Sequence, residues 1–365
     1  MKVVSIVGAR PNYIKLAAVS DVFRACFEHV AVDTGQHYDY EMNKIFFEQL
    51  GVPEPEYFLG VGSGSHGYQV GEIIKRVEKV LVREQPDLVI VYGDTNSTLG
   101  GALAAVKAGF RVAHVEAGLR CFDMSMPEEV NRRVVDHVSH LLFAPTVSAY
   151  RNLLAERVPG RVFVTGDVHV RALKRWLLIA EERSRVLERL GLDPGYVVVT
   201  VHRAENTDDP ARLSKIIGLL VGLARRERVV FPVHPRTRKR LVDLGLWEGL
   251  SGSGVVLCEP LGYLDFLKLL SNSGLVVTDS GGVQREAYLL RKPVVVLRRV
   301  TEWVELVESG LALLVDVESG LDPERVLDWR PSGYVEGLLG DEQAPMKIAK
   351  ILKEYAREAM KSFNS

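Results

Sequence analysis

Residues 2–15 read Lys2-Val3-Val4-Ser5-Ile6-Val7-Gly8-Ala9-Arg10-Pro11-Asn12-Tyr13-Ile14-Lys15. A short run rich in Val and Ile gives way to a glycine, a cation and a proline, and then to a helical stretch. Such a run reads as a strand buried on both faces, with the polar turn at its carboxyl end. The pattern recurs along the chain. Val30–Val32, Leu88–Tyr92, Val112–Val115, Leu141–Ala144 and Val162–Val164 read as further strands of a first domain. Tyr196–Val201, Val229–Val233, Val255–Leu257, Leu275–Thr278 and Val294–Leu297 repeat it in the second half. Near-continuous apolar strands separated by amphipathic stretches imply parallel sheets covered on both faces. The fold class is therefore α/β, with two doubly wound, Rossmann-like parallel-sheet domains expected to face a cleft.

At 365 residues the chain exceeds the size at which one core usually keeps growing, so two domains are expected. The boundary falls near Gly166–Val170, before a helix expected over Ala172–Leu190. This gives a first domain of residues 1–168, a second of 169–345, and a C-terminal helix, 346–365, expected to pack across the junction. A formal charge of −1 argues against a nucleic-acid partner, which asks for a basic patch or stripe. Cys26, Cys121 and Cys258 are scattered and form no metal-binding pair, which suits reduced thiols in the cytoplasm. The first apolar run is too short for a signal peptide, and no apolar stretch approaches the roughly 18 residues of a membrane span.

In open parallel sheets, ligands bind beyond the carboxyl ends of the strands. The unusual polar residues cluster there. Gly8-Ala9-Arg10-Pro11, with Lys15 a turn later, follows the first strand. Gly93-Asp94-Thr95-Asn96-Ser97 and Glu116-Ala117-Gly118-Leu119-Arg120 follow two others. The second half adds His202-Arg203, His234-Pro235-Arg236 and Asp279-Ser280-Gly281-Gly282.

Ser280, Gly281 and Gly282 precede a helix, where free amides and the dipole make an anion site, and the glycines allow close approach to a diphosphate. Glu286, a turn on, is placed to accept from ribose hydroxyls. Asp94 reads either as a turn residue or as a functional carboxylate. Glu116 ends an apolar run, where a charge is paired or functional. Glu128 follows Pro127, so it suits the first turn of a helix as well as catalysis. His202 and His234 lack a third ligand at metal spacing, and Arg203 and Arg236 beside them favour an anion over a metal. Gly62-Ser63-Gly64-Ser65-His66-Gly67 matches GxGxxG in form, yet it joins no clear strand to a helix and reads as a mobile loop.

Nine segments then form an ordered set: GARPNYIK (Gly8–Lys15), TGQHYDYEM (Thr34–Met42), YGDTNSTLGGALAA (Tyr92–Ala105), HVEAGLR (His114–Arg120), MPEEVNRRVVDH (Met126–His137), VHRAEN (Val201–Asn206), HPRTRK (His234–Lys239), DSGGVQREA (Asp279–Ala287) and KPVVVLR (Lys292–Arg298). Through them the sequence resembles the non-hydrolysing UDP-N-acetylglucosamine 2-epimerases, which share the two-domain fold of GT-B glycosyltransferases.

The resemblance implies a homodimer acting on a UDP-sugar without a cofactor or metal, by elimination of UDP to 2-acetamidoglucal and re-addition. It implies Asp94, Glu116 and Glu128 as acid/base carboxylates and His202 as the aid to UDP departure. Arg10 and Lys15 become first-domain substrate contacts. Ser280, Gly281, Gly282 and Glu286 become the diphosphate and ribose site, with Phe266 stacking near uracil. Epimerisation of a modified UDP-N-acetylhexosamine, such as a uronic acid derivative, or sugar transfer by a GT-B glycosyltransferase are the alternatives. Trp303 stands where the family has arginine, Leu261 where glutamine is common, Gly166–Arg171 where GNT-x-x-D is frequent, and Gln36–Met42 where QHREM is linked to allosteric activation.

Overall fold

Val3, Val4, Ile6 and Val7 are almost wholly withdrawn from solvent, as a strand covered on both faces requires. In a computed structural model, which describes residues 1–36, 51, 54–320 and 322–363, they form an inner strand of a parallel sheet. The chain divides into two units, residues 1–172 with 337–365, and residues 173–336.

The first unit carries β1 (Lys2–Val7), β2 (Glu28–Asp33), β3 (Tyr57–Phe58), β4 (Leu88–Tyr92), β5 (Val112–Val115), β6 (Leu141–Ala144) and β7 (Arg161–Val164). Its described residues form one sheet in the order β3-β2-β1-β4-β5-β6-β7, with every pairing parallel. The second unit carries β8 (Val197–Thr200), β9 (Val229–Pro232), β10 (Val256–Cys258), β11 (Leu275–Thr278), β12 (Val294–Val296) and β13 (Ala312–Leu314), in the order β10-β9-β8-β11-β12-β13. Both are doubly wound sheets. Sequence reading missed β3 and β13, which are two and three residues long.

In each sheet the strand order reverses beside the first strand, so the crevices of interest lie between β1 and β4 and between β8 and β11. Cores on the sheet faces hold the strands in place: Ile6, Val89 and Val91 pack with Ile73, Val77 and Ala105 in the first unit, and Val199, Phe231 and Val277 with Leu213, Ile216 and Leu220 in the second. Each fully buried Val, Leu or Ile contributes about 1.5–3 kcal/mol.

Two readings are corrected. The helix expected over Ala172–Leu190 is two helices, His169–Arg183 and Val186–Leu190. Ser184 interrupts them, donating to Asp265 Oδ1 at 2.6 Å and accepting from Val186 N at 3.3 Å. The segment Gly62–Gly67 does lead into a helix, His66–Glu84, which Ser65 caps by accepting from Tyr68 N. Residues 337–365 belong to the first unit, where the helix Ala344–Phe363 packs on the helix Arg10–Cys26. Gly166, in the departure from GNT-x-x-D, sits at φ +86 with a Cβ position only 3.1 Å from Gly340 Cα, and Asp167 accepts from His169 N at 2.9 Å. Among the described residues no helix is long and apolar enough to cross a membrane.

At the end of β2, Asp33 is buried and accepts from the Tyr13 hydroxyl and from Gly35 N at 2.8 Å. Burial nevertheless pushes its carboxyl up to about 6, from 3.8. The folded state then binds more protons than the unfolded chain between about pH 4 and pH 6, so stability falls as pH rises through that window, by of order 3 kcal/mol in all. Asp33→Asn is expected to flatten this slope in urea unfolding followed from pH 4 to pH 7. An unchanged slope would assign the titration to another group.

Candidate active site

Gly8 follows β1, and its missing side chain is a packing requirement. A Cβ there would lie 1.9 Å from Thr34 Oγ1 and 2.3 Å from Ser97 Oγ, which hydrogen-bond each other at 2.8 Å. Asn12 donates to Tyr92 O at 2.8 Å and accepts from Thr95 Oγ1 at 3.0 Å, which binds the turn after β1 to the turn after β4. Arg10 is exposed at the first position of its helix.

Lys15 points back into the β1/β4 crevice. Its Nζ lies 3.0 Å from Glu116 Oε1, with both side chains buried. Gly93 completes the approach: its φ is +66, and a Cβ on it would meet Lys15 Nζ at 2.8 Å and Glu116 Oε1 at 3.6 Å. Glu116 itself has φ +74, a left-handed conformation that costs a non-glycine residue about 1–3 kcal/mol and is kept only where surrounding contacts impose it. Here the amides of Glu116 and Ala117 both donate to Phe143 O at 3.1 Å.

Asp94 accepts from Arg132 Nε at 3.1 Å, and its carbonyl accepts from Asn131 Nδ2 at 2.8 Å. Both partners come from the helix Pro127–Val138. The two glutamates opening that helix divide in role. Glu129 is fully buried and accepts from Arg132 Nη1 at 2.9 Å, Cys121 N at 3.1 Å and Phe122 N at 3.3 Å, fixing the loop before the helix. Glu128 is half-buried, and its side chain makes no hydrogen bond or ion pair among the described residues. Sequence reading missed Glu129, Arg132 and Asp136. Their spacing of three and four places charges on one buried helical face, which was the available signal.

In the second unit, Asp279 closes β11 without solvent exposure. It accepts from His202 N at 3.1 Å, Arg203 N at 3.0 Å and Asn206 Nδ2 at 3.1 Å, so the turn after β8 is shaped by the end of β11. His202 is partly exposed beside it, its ring centroid 5.8 Å from that of His234. His234 caps its helix by accepting from Arg236 N at 3.3 Å, and Arg236 pairs with Asp208 at 2.5 Å. Phe266 is half-buried, and Glu286 is buried in the helix Gly281–Leu289. Ser280 caps that helix, accepting from Val283 N at 3.5 Å. Among the described residues no three His, Cys, Asp or Glu side chains group as metal ligands.

The two glycines after Ser280 do different things. A Cβ on Gly281 would lie 1.9 Å from Glu302 Oε1, so that glycine serves Glu302, which holds Arg298 at 2.7 Å. A Cβ on Gly282 meets only Ser280 Oγ, at 3.8 Å. Gly281→Ala is expected to destabilise the protein by about 1–3 kcal/mol in thermal unfolding. Gly282→Ala should leave the melting temperature unchanged. Equal stability loss in both would remove the distinction.

Trp303 is buried, with the Arg285 guanidinium over its ring at 5.2 Å, a contact of about 0.5–2 kcal/mol. Leu261 is half-buried. Gln36 accepts from Ser97 N at 3.0 Å, whereas His37–Met42, the rest of the segment tied to allostery, lie outside the described residues.

The family model for UDP-N-acetylglucosamine 2-epimerase matches residues 23–353. A Methanococcus maripaludis protein named UDP-N-acetylglucosamine 2-epimerase homolog is 46% identical, covering 97% of this chain and 99% of its own. A Pseudomonas aeruginosa protein named UDP-2,3-diacetamido-2,3-dideoxy-D-glucuronate 2-epimerase is also 46% identical, over 86% of this chain and 88% of its own. The crystal structure of Methanocaldococcus jannaschii UDP-GlcNAc 2-epimerase, in complex with UDP-GlcNAc and UDP, is 41% identical and superposes with a TM-score of 0.89 over 97% of this chain and all of that one. Its match extends over both doubly wound parallel-sheet units, the GT-B arrangement of elements. Fold, ordered motifs and family model agree, and the chain belongs to the UDP-N-acetylglucosamine 2-epimerase family.

Proposed function

We propose that this chain interconverts UDP-N-acetylglucosamine and UDP-N-acetylmannosamine without hydrolysis. The observation that carries the reading is the pair of cation-matched carboxylates, Lys15–Glu116 and Arg132–Asp94, at the β1/β4 switch point. In the elimination, a carboxylate takes the proton from C2 of the sugar. The C–H electrons form the C1=C2 bond of 2-acetamidoglucal, and the C1–O electrons leave with UDP. In the return step a UDP oxygen bonds to C1, and C2 takes a proton on the opposite face. Two faces require two acid/base positions, which Asp94, Glu116 and Glu128 supply between them.

Lys15 Nζ at 3.0 Å from Glu116 Oε1 and Arg132 Nε at 3.1 Å from Asp94 Oδ2 hold the two carboxylates in place. His202, Arg203, His234, Arg236 and the amides behind Ser280 and Gly282 stabilise the charge that develops on departing UDP. Arg10 contacts the substrate from the first unit, and Glu286 and Phe266 take the ribose and uracil. No hydride moves, so the reaction calls for no nicotinamide. The enzyme acts as a homodimer, which light scattering tests.

The Pseudomonas relative favours a second reading, in which the sugar is a UDP-diacetamido-uronate handled by the same elimination. One experiment separates the two: the protein is incubated with each UDP-sugar in D2O and followed by NMR. Deuterium at C2 with epimer formed from UDP-N-acetylglucosamine supports the first reading, and activity on the uronate alone supports the second. Epimer without C2 exchange would sink the elimination mechanism for both.

A further inference from the structure

Asp136, on the helix Pro127–Val138, has no solvent exposure and no place in the reaction described above. Its Oδ1 lies 2.7 Å from His114 Nδ1, and its Oδ2 accepts from Arg120 Nη2 at 2.8 Å and Gly118 N at 3.1 Å. His114 and Gly118 stand two residues before and two after Glu116, so one carboxylate grips both flanks of the strained residue. His114 carries the connection further, for its Nε2 lies 2.7 Å from Gly93 O, and Gly93 immediately precedes Asp94.

One proton position follows from its partner. A carbonyl oxygen only accepts, so Nε2 of His114 donates to Gly93. Burial alone would raise the Asp136 carboxyl, but the charge and hydrogen bond of His114, and then of Arg120, hold it below the usual carboxylate range. Asp136 Oδ1 and His114 Nδ1, 2.7 Å apart, form one side of the connection, and His114 Nε2 to Gly93 O the other. Arg120 is fixed in turn by the Glu156 carboxylate, at 2.9 Å and 2.7 Å. Every oxygen of Asp136 is thus engaged in a dry, rigid array.

We infer that Asp136 is a positioning residue for the epimerisation, setting through His114 the spacing between the loop that carries Asp94 and the left-handed turn that carries Glu116. The inference rests on the function proposed above. It gives a physical reason for a charged triad beneath the site: a hydrophobic contact holds side chains together, whereas directed charge-assisted bonds fix the backbone at Gly93 and Gly118 in one geometry. Misplacing a reacting group by about 1 Å can cost on the order of 10²-fold in rate.

The test uses the full-length protein and three variants: Asp136→Asn, His114→Gln and the double variant. Asp136→Asn is expected to lower kcat by about 10²-fold with KM for the UDP-sugar and Kd for UDP within about threefold of wild type. His114→Gln keeps a donor for Gly93 and loses the link to Asp136, so it should lose a similar factor. The double variant should fall little below either, since both break one connection. Wild-type kcat in folded Asp136→Asn would overturn the inference, as would additive losses in the double variant or a loss shared equally by UDP affinity. A second readout does not depend on the reaction: the 15N spectrum of histidine-labelled protein should show the His114 ring-nitrogen resonances shifted in Asp136→Asn relative to wild type. His114 resonances unchanged in Asp136→Asn overturn the inference whatever the enzyme turns over. Absence of C2 exchange in wild type, with the His114 resonances shifted in Asp136→Asn, would instead count against the epimerase reading.

Discussion

Glu116→Gln is expected to lower kcat by on the order of 10³-fold, within the range of about 10²–10⁴ that a positioned acid or base contributes. Gln preserves the shape of the side chain and leaves Lys15 Nζ an oxygen near 3.0 Å, so the change removes charge and basicity rather than volume. Affinity for UDP should hold, because the groups proposed to grip it lie in the second unit. Steady-state NMR assays and calorimetry with UDP measure the two effects separately. A kcat within about tenfold of wild type would remove Glu116 from proton transfer. Lys15→Met should be as damaging in rate and worse in stability, since it strands a buried carboxylate at a cost of about 3–5 kcal/mol.

Asp279→Ala is expected to have a comparably large effect on stability. It removes the acceptor shared by His202 N, Arg203 N and Asn206 Nδ2, and each buried donor left unmet costs about 1–3 kcal/mol. A total of about 3–5 kcal/mol should lower the melting temperature by on the order of 10 °C, at about 2–4 °C per kcal/mol for a domain of this size. The same change frees the turn that presents His202, so UDP affinity should fall together with stability. Differential scanning calorimetry with and without UDP reads both. An unchanged melting temperature would mean that water or a neighbouring acceptor replaces Asp279.

The candidate site was legible in sequence to the extent that its residues sit at strand ends. The turns after β1, β4, β5, β8, β9 and β11 were all identified, because an apolar strand that stops at Gly-Asp, Glu-Ala-Gly or Asp-Ser-Gly is visible locally. The choice between adjacent residues was not. Glu128 and Glu129 are chemically identical and follow the same proline, yet Glu129 is taken up by Arg132 and the amides of residues 121 and 122, whereas Glu128 makes no hydrogen bond or ion pair among the described residues. Gly281 and Gly282 differ in the same way, through Glu302, which reaches Gly281 from 21 residues further along the chain.

By itself the amino-acid sequence determined the two doubly wound sheets, their buried runs in chain order, and the placement of polar turns at the carboxyl ends of the strands. These are consequences of local composition, in which period, chain direction and turn chemistry repeat within some thirty residues. Only the tertiary structure decided which charges meet. Asp136 lies 22 residues from His114, and Asp279 lies 77 from His202, so neither junction leaves a mark at any sequence spacing. Burial is the physical reason these junctions form as they do. Inside a protein an unmatched charge or amide is so costly that it accepts whatever partner the packed strands bring within reach.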